Sequence, residues 1–242
     1  MKTPLVPIDW PSIYPGKNGV KGPLPQRMAL CTPDMKAAIQ AVSTALQAKG
    51  GKLILSDLFR SYQMQFDAHQ DFVTGRKTAN SPPPGGSFHE AGRAFDMDLG
   101  AIHISLADFW TLAAPIGLVP IIDQPKSGAS ESWHFECRGS HQRVYDYYKA
   151  GKGTNFDKPY KAAAASAIVS VGVKVDKFGA NQDAAYVQSG LIRLGDTIGS
   201  LDGDIGPNTK RALAARNIPA SPMSAAVAGI DQALKAKFAG EF

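Results

Sequence analysis

Apolar positions along the chain switch between two periods. Met35, Ile39, Val42 and Leu46 recur at helical spacing and predict a helix capped by Asp34 and ended by Gly50-Gly51. Leu53 to Phe59 is a short apolar run that predicts a strand, and Tyr62 to Val73 returns to the helical period. The pattern continues with a strand, Phe-Asp-Met-Asp-Leu, inside Phe88–Gly100, then a helix from Ala107 to Leu118 ending at Gly117. A strand at Trp133–Cys137 and a closing helix at Gln142–Lys149 complete it. Mixed periods of this kind predict an α+β domain. Before Met35, seven prolines (Pro4, Pro7, Pro11, Pro15, Pro23, Pro25, Pro33) exclude a long helix and predict an extended arm, residues 1–34, packed on that domain. Ser81 to Gly86, Ser-Pro-Pro-Pro-Gly-Gly, predicts a rigid loop.

After Gly151 the pattern changes. Gly153 to Tyr160 is polar and Lys161 to Ser166 is alanine-rich. This stretch reads as a linker, although Ala-Ala-Ala-Ala-Ser-Ala-Ile-Val equally suits the first helix of a second domain. Val187, Leu191 and Leu194 mark an amphipathic helix, and Asp202-Gly203 and Gly206-Pro207 mark turns. Pro207 suits the first position of a helix running through Ala215. The expected organisation is a domain over 1–152, a linker over 153–166 and a small three-helix domain over 167–242, with no internal repeat.

Composition narrows the function classes. A chain of 242 residues with 44% hydrophobic and 19% charged positions is globular rather than disordered. No run approaches the ~18 apolar residues of a membrane span, so no membrane insertion is expected. Met1 to Trp10 lacks the apolar core of a secretory signal. The net charge of +5 favours polyanions: nucleic acid, anionic membrane or acidic bacterial wall polymers. No block of like charges and no basic run interleaved with aromatics is present, which argues against nucleic acid.

The densest chemistry lies in Ser87-Phe88-His89-Glu90-Ala91-Gly92-Arg93-Ala94-Phe95-Asp96, followed 35 residues after Asp96 by Glu131-Ser132-Trp133-His134-Phe135-Glu136. Two imidazoles and one carboxylate from this cluster make a three-ligand set of the kind a catalytic zinc uses, with a fourth position left for water. Zinc lowers the pKa of that water to about 7 and polarises a carbonyl. Glu131, three residues before His134, is placed to manage the proton. Each piece has an ordinary counterpart: a His followed by an Asp is commonly a surface hydrogen-bond pair, and Glu-x-x-His recurs by chance.

Ser87-x-His89-x-x-Gly92-x-Ala94-x-Asp96 with Glu131-x-Trp133-His134 resembles the zinc peptidases of the LAS type. These include D-alanyl-D-alanine carboxypeptidases, D-Ala-D-Ala dipeptidases of vancomycin resistance and bacteriophage L-alanyl-D-glutamate endopeptidases. Arg60-Ser61-Tyr62 with Gln65 is similar to the family's Arg-Ser-Tyr-x-x-Gln segment, and the match spans roughly Leu53–Gly139. The resemblance implies a small mixed-sheet peptidase domain holding one zinc ion through His89, Asp96 and His134. It implies Glu131 as general base and Arg60 as the holder of the scissile carbonyl oxygen or a substrate carboxylate. Ser87 and Gln65 would bind substrate, although Ser87 can equally cap its turn.

The sequence departs from the family at Leu58-Phe59, where Gly-Tyr often precedes the Arg, and Glu-x-Trp-His is closer to the D-Ala-D-Ala-cleaving branch than to the phage endopeptidases. Val187-Gln188-x-x-Leu191-x-x-Leu194-Gly195 and the Asp202-Gly203-Asp204-Ile205-Gly206-Pro207-x-Thr209 run resemble the peptidoglycan-binding domain found beside many wall hydrolases. The implied partner is bacterial peptidoglycan, bound by a monomer. The implied setting is a phage endolysin held in the host cytoplasm until a holin opens the membrane, with periplasmic or extracellular action as the alternative. A domain that binds wall without catalysis is the reading from another class.

His69, His103 and His141 fit no ligand spacing and read as surface or structural. Asp98 reads either as a partner of a ligand or as a solvated carboxylate, and Phe135 as core. Cys31 and Cys137 read as two buried thiols. A disulfide closing a loop of 106 residues and a Cys137 zinc ligand are the alternatives.

Overall fold

The computed structural model describes residues 2–16 and 21–242. Proline lacks a ladder donor and suits sheet edges. The proline-rich segment folds accordingly, as four short strands: β1 (Val6–Pro7), β2 (Pro11–Pro15), β3 (Lys21–Pro23) and β4 (Leu30–Cys31). β1 pairs with β4, while β2 and β3 join the main sheet. The expected arm is therefore partly built into the domain; its Met1 and residues 17–20 lie outside the described residues.

Helix α1 (Pro33–Gln47) starts with proline in its first turn and has Thr32, not Asp34, at its N-cap. Asp34 instead meets Arg93 at 2.6 Å. Met35, Ile39, Val42 and Leu46 are fully buried, as their spacing requires. Strand β5 (Leu55–Asp57) is shorter than its apolar run. The backbone leaves the ladder because Leu58 N–H bonds the Asp57 carboxylate and Phe59 N–H bonds the Met28 carbonyl. Then come α2 (Tyr62–Val73), β6 (Ala94–Met97) and α3 (Leu106–Ala113). The third helix does not reach Leu118. Pro115 and Gly117, at φ 87°, turn its end into a 3-10 turn, and the chain re-enters the sheet as an edge strand, β7 (Leu118–Pro120). β8 (His134–Cys137) and α4 (Gln142–Lys149) follow.

The six-stranded sheet has the order β3-β2-β5-β6-β8-β7, with β2 and β5 parallel and the other pairs antiparallel. Its mixed pairing beside flanking helices makes the fold α+β. Side chains alternate across it. Phe95, Met97, Phe135 and Cys137 join the core under α1 and α3, while Ala94 joins a second core on the other face.

That second core is formed mainly by α5 (Pro159–Ser170), α6 (Gln182–Leu194), α7 (Pro207–Ala215) and α8 (Met223–Lys237). The stretch expected as a linker, 153–166, is helical from Pro159 onward. Its alanines Ala162–Ala165 are fully buried, small enough for α5 to lie close against its neighbours. The same core takes in Phe88, Ala91, Ala94 and Val144 from the sheet-bearing part. Four α-helices thus follow Lys152: α5, which begins in the expected linker and was the alternative reading of that stretch, and α6, α7 and α8 within 167–242. In the Asp202–Pro207 turns, Gln188 Oε1 accepts from the N–H groups of Asp202 and Gly203 at 3.0 and 2.7 Å, and its Nε2 donates to the Asp204 carbonyl at 2.9 Å. Gln188 in that motif is a loop clamp.

Candidate metal centre

The candidate ligands come from two adjacent strands and one turn. Asp96 on β6 and His134 on β8 are directly paired across the sheet, so both point to one face. His89 reaches them from a 3-10 turn, Phe88–Ala91, that Ser87 and Glu90 close with a reciprocal capping box. Gly92 ends that turn at φ 60°, and a Cβ there would stand 2.9 Å from Cys31 Cα and 2.8 Å from Leu5 Cδ2. The glycine of the motif therefore serves both a left-handed backbone and close packing.

His134 Nδ1 lies 2.9 Å and His89 Nε2 3.3 Å from Asp96 Oδ1. One donor atom from each residue falls within 4.8 Å of the others, a group able to hold a metal ion among the described residues. His89 Nδ1 sits 2.8 Å from the Leu58 carbonyl, which fixes the ring as an Nδ1–H donor and leaves Nε2 for a ligand role. Burial alone would raise the Asp96 carboxyl, yet the two histidines hold it well below the usual carboxylate range. Burial works against a charged His134, but Asp96 and Glu136 outweigh it and push its pKa up to about 10. The buried donor atoms of two imidazoles and a carboxylate, all within 4.8 Å of one another, suit a divalent cation. Two imidazoles and a carboxylate fit zinc.

Glu131 sits in the turn before β8 at φ 67° and lines the same cleft as His89, Asp96, His134, Arg60 and Trp133. Its Oε1 is buried with no hydrogen-bond partner among the described residues. Burial raises its pKa, partly offset by His134, while Asp96 adds to the rise. An unpaired carboxylate beside the ligands, with raised proton affinity, is what a general base needs.

Arg60 follows β5. Its Nε and Nη2 meet Asp57 Oδ2 at 2.7 and 2.5 Å, its Nη1 donates to Gln65 Oε1 at 3.2 Å, and Asp96 lies 3.6 Å away. Burial opposes its charge, but Asp57 and Asp96 more than compensate. The guanidinium keeps further N–H groups for a ligand in the cleft.

The structure brings all seven expected residues to one neighbourhood but gives two of them supporting work. Ser87 lines the cleft, and its hydroxyl also accepts from His89 N–H at 3.3 Å. Gln65 is fully buried; besides accepting from Arg60 it donates to Ser81 Oγ at 3.1 Å and the Pro82 carbonyl at 2.6 Å. Its amide holds Arg60 and the proline loop.

Asp57, Glu136 and Tyr160 were not singled out by sequence. Glu136 lies 3.4 Å from His134 Nε2 and is tied to Arg138 at 2.6 Å; its two-residue offset on the same strand face was the available signal. Tyr160 comes from α5, far outside the motif, and left no signal. Asp98 caps Gly100 N–H and pairs with Lys21, away from the cleft. Among the other histidines, His69 and His103 each bond a backbone carbonyl, and His141 is buried against Ser166. Phe135 is core, 4.8 Å from Phe109 in edge contact. Cys31 and Cys137 are free thiols whose burial pushes their pKa up to about 12.

No protein-family model and no curated protein matches the chain. Among solved structures, one similar to it is described as the LdcB LD-carboxypeptidase, a structure revealing the basis of peptidoglycan recognition, at 19% identity and a TM-score of 0.40. That match covers 55% of this chain and 66% of the other, just under two thirds of its length. A second is a point mutant of the vancomycin-resistance D,D-pentapeptidase VanY from a VanB-type cassette, in complex with Zn(II). It is 17% identical with a TM-score of 0.38, and the match covers 57% of this chain and 84% of that one.

Proposed function

We propose that the chain is a zinc-dependent peptidase that hydrolyses amide bonds in the stem peptide of bacterial peptidoglycan. The observation that carries this reading is the convergence of His89, Asp96 and His134 with the unpaired Glu131 carboxylate in one cleft. His89, Asp96 and His134 would hold a divalent ion, which would supply Lewis acidity and make a bound water more acidic. Glu131 accepts the proton that water gives up and passes it to the departing amine. Arg60, oriented by Asp57 and Gln65, donates to the carbonyl oxygen as negative charge gathers there.

The preferred role is a wall-opening endopeptidase of endolysin type, acting after release from the host cytoplasm. Opening the mesh requires cutting a bridge or a stem, which removal of a terminal D-Ala does not do. The Glu131-x-Trp133-His134 spelling keeps D-alanyl-D-alanine carboxypeptidase as the second reading. The helices from α6 onward would serve as the wall-binding part. Digestion of purified muropeptides, read by mass spectrometry, tests the choice. Opened crosslinks or released stem peptides support the endopeptidase; loss of one terminal D-Ala supports the carboxypeptidase. An unchanged muropeptide profile contradicts both and favours a wall-binding protein without catalysis.

A further inference from the structure

We propose that Tyr160, supplied by α5 of the helical part, is a positioning residue of the cleft. It fixes the 81–87 loop that walls the metal centre, so the cleft is completed only when the helical part is docked.

This loop is held at several points. From the sheet-bearing side, Gln65 bonds Ser81 and Pro82, and His69 Nδ1 lies 2.7 Å from the Ser81 carbonyl. Glu90 accepts from Gly85 N–H at 3.0 Å and Ser87 N–H at 3.2 Å. The Gly86 carbonyl is claimed from the other side: Tyr160 Oη donates to it at 2.6 Å. Tyr160 lines the cleft, and its ring centroid lies 6.4 Å from that of Phe88, the neighbour of His89. Two more contacts join the same parts. Val175 packs on Gly85, where a Cβ would stand 3.0 Å from Val175 Cγ1, and Tyr62, two residues after Arg60, donates to Asp176 at 2.7 Å. A tether that only holds the enzyme near the wall needs none of these. A part that shapes the substrate-binding wall needs all three.

The functional arm of the test rests on the peptidase reading; the structural arm does not. Tyr160→Phe removes one oxygen and keeps the ring. In the full-length protein, amide exchange at Gly85, Gly86 and Ser87 should quicken by about threefold to tenfold, the size of one lost hydrogen bond. KM for stem peptide should rise by a similar factor, with kcat within about twofold and zinc affinity unchanged. Val175→Ala should quicken the same amides. Unchanged exchange in both variants overturns the clamp, even in an active enzyme. Faster exchange with unchanged KM, or a fall in zinc affinity, overturns the positioning role. A wild-type protein with no hydrolysis contradicts the peptidase reading alone; the change in stem-peptide Kd on Tyr160→Phe then replaces KM, and an unchanged Kd overturns the proposal.

Discussion

At the scale of single residues, the cleft separates groups that act from groups that hold them. Glu131 has a buried oxygen with no competing partner, so Glu131→Gln should keep the metal and lower kcat by about 10²–10⁴-fold, the usual contribution of a general base. Metal content and steady-state rates on one preparation check it; a rate within a few-fold of wild type removes Glu131 from the mechanism. Glu136 stands behind His134 Nε2. Glu136→Gln should weaken zinc by about 10–100-fold, measured by chelator competition, because the second ring nitrogen loses the carboxylate that orients it. His89, Asp96, His134, Glu131 and Arg60 were legible in sequence through the resemblance of their motifs to a known peptidase family, because spacing alone left ordinary readings open for each. Asp57 and Tyr160 were not. Their roles come from β5 leaving its ladder and from α5 docking, and neither leaves a local pattern.

At the scale of elements, the helices with an apolar stripe were readable and the sheet was only half so. Strands of two to five residues are too short for alternation to show, and prolines in β1, β2 and β3 mask what remains. The alanines of α5 gave the opposite difficulty, since a helix buried on all sides carries no stripe. Gly92 and Gly117 make a local comparison. Both have positive φ, but a Cβ at Gly92 meets the Cys31 backbone whereas one at Gly117 meets nothing within 4 Å. Gly117→Ala should cost about 1–2 kcal/mol from backbone strain alone. Gly92→Ala should cost clearly more, because Cys31 must also move. Urea denaturation of the two variants decides it, and equal losses would contradict the packing argument.

At the scale of the whole molecule, a buried ionic network joins the two parts. Glu241 accepts from Arg193 at 2.7 Å and from Ser140 N–H at 2.6 Å and lies 3.3 Å from Arg93, which also meets Asp34. Both arginines are fully buried. Removing the carboxylate takes the ion-pair partner from Arg193 and leaves Arg93 with Asp34 alone, so Glu241→Ala should lose about 3–5 kcal/mol and unfold both parts in one transition. Two separate calorimetric transitions in the wild type would contradict this coupling. His141 lies in the same region, and burial, Arg193 and Arg93 hold its pKa well below the ordinary value. The unfolded chain takes up a proton as pH falls through about 6.5 and the folded chain does not. His141 therefore withdraws stability below that pH, and His141→Gln should flatten the decline between about pH 6.5 and 5 relative to wild type.

The claim that this cleft performs metal-dependent hydrolysis is tested most directly by counting new amino groups released from purified peptidoglycan. Four samples suffice: wild type, wild type after chelation, the chelated sample with zinc restored, and zinc-loaded Glu131→Gln. Release is expected in the first and third samples and only a residual rate in the second and fourth. Release that survives chelation, or that Glu131→Gln leaves intact, would contradict it.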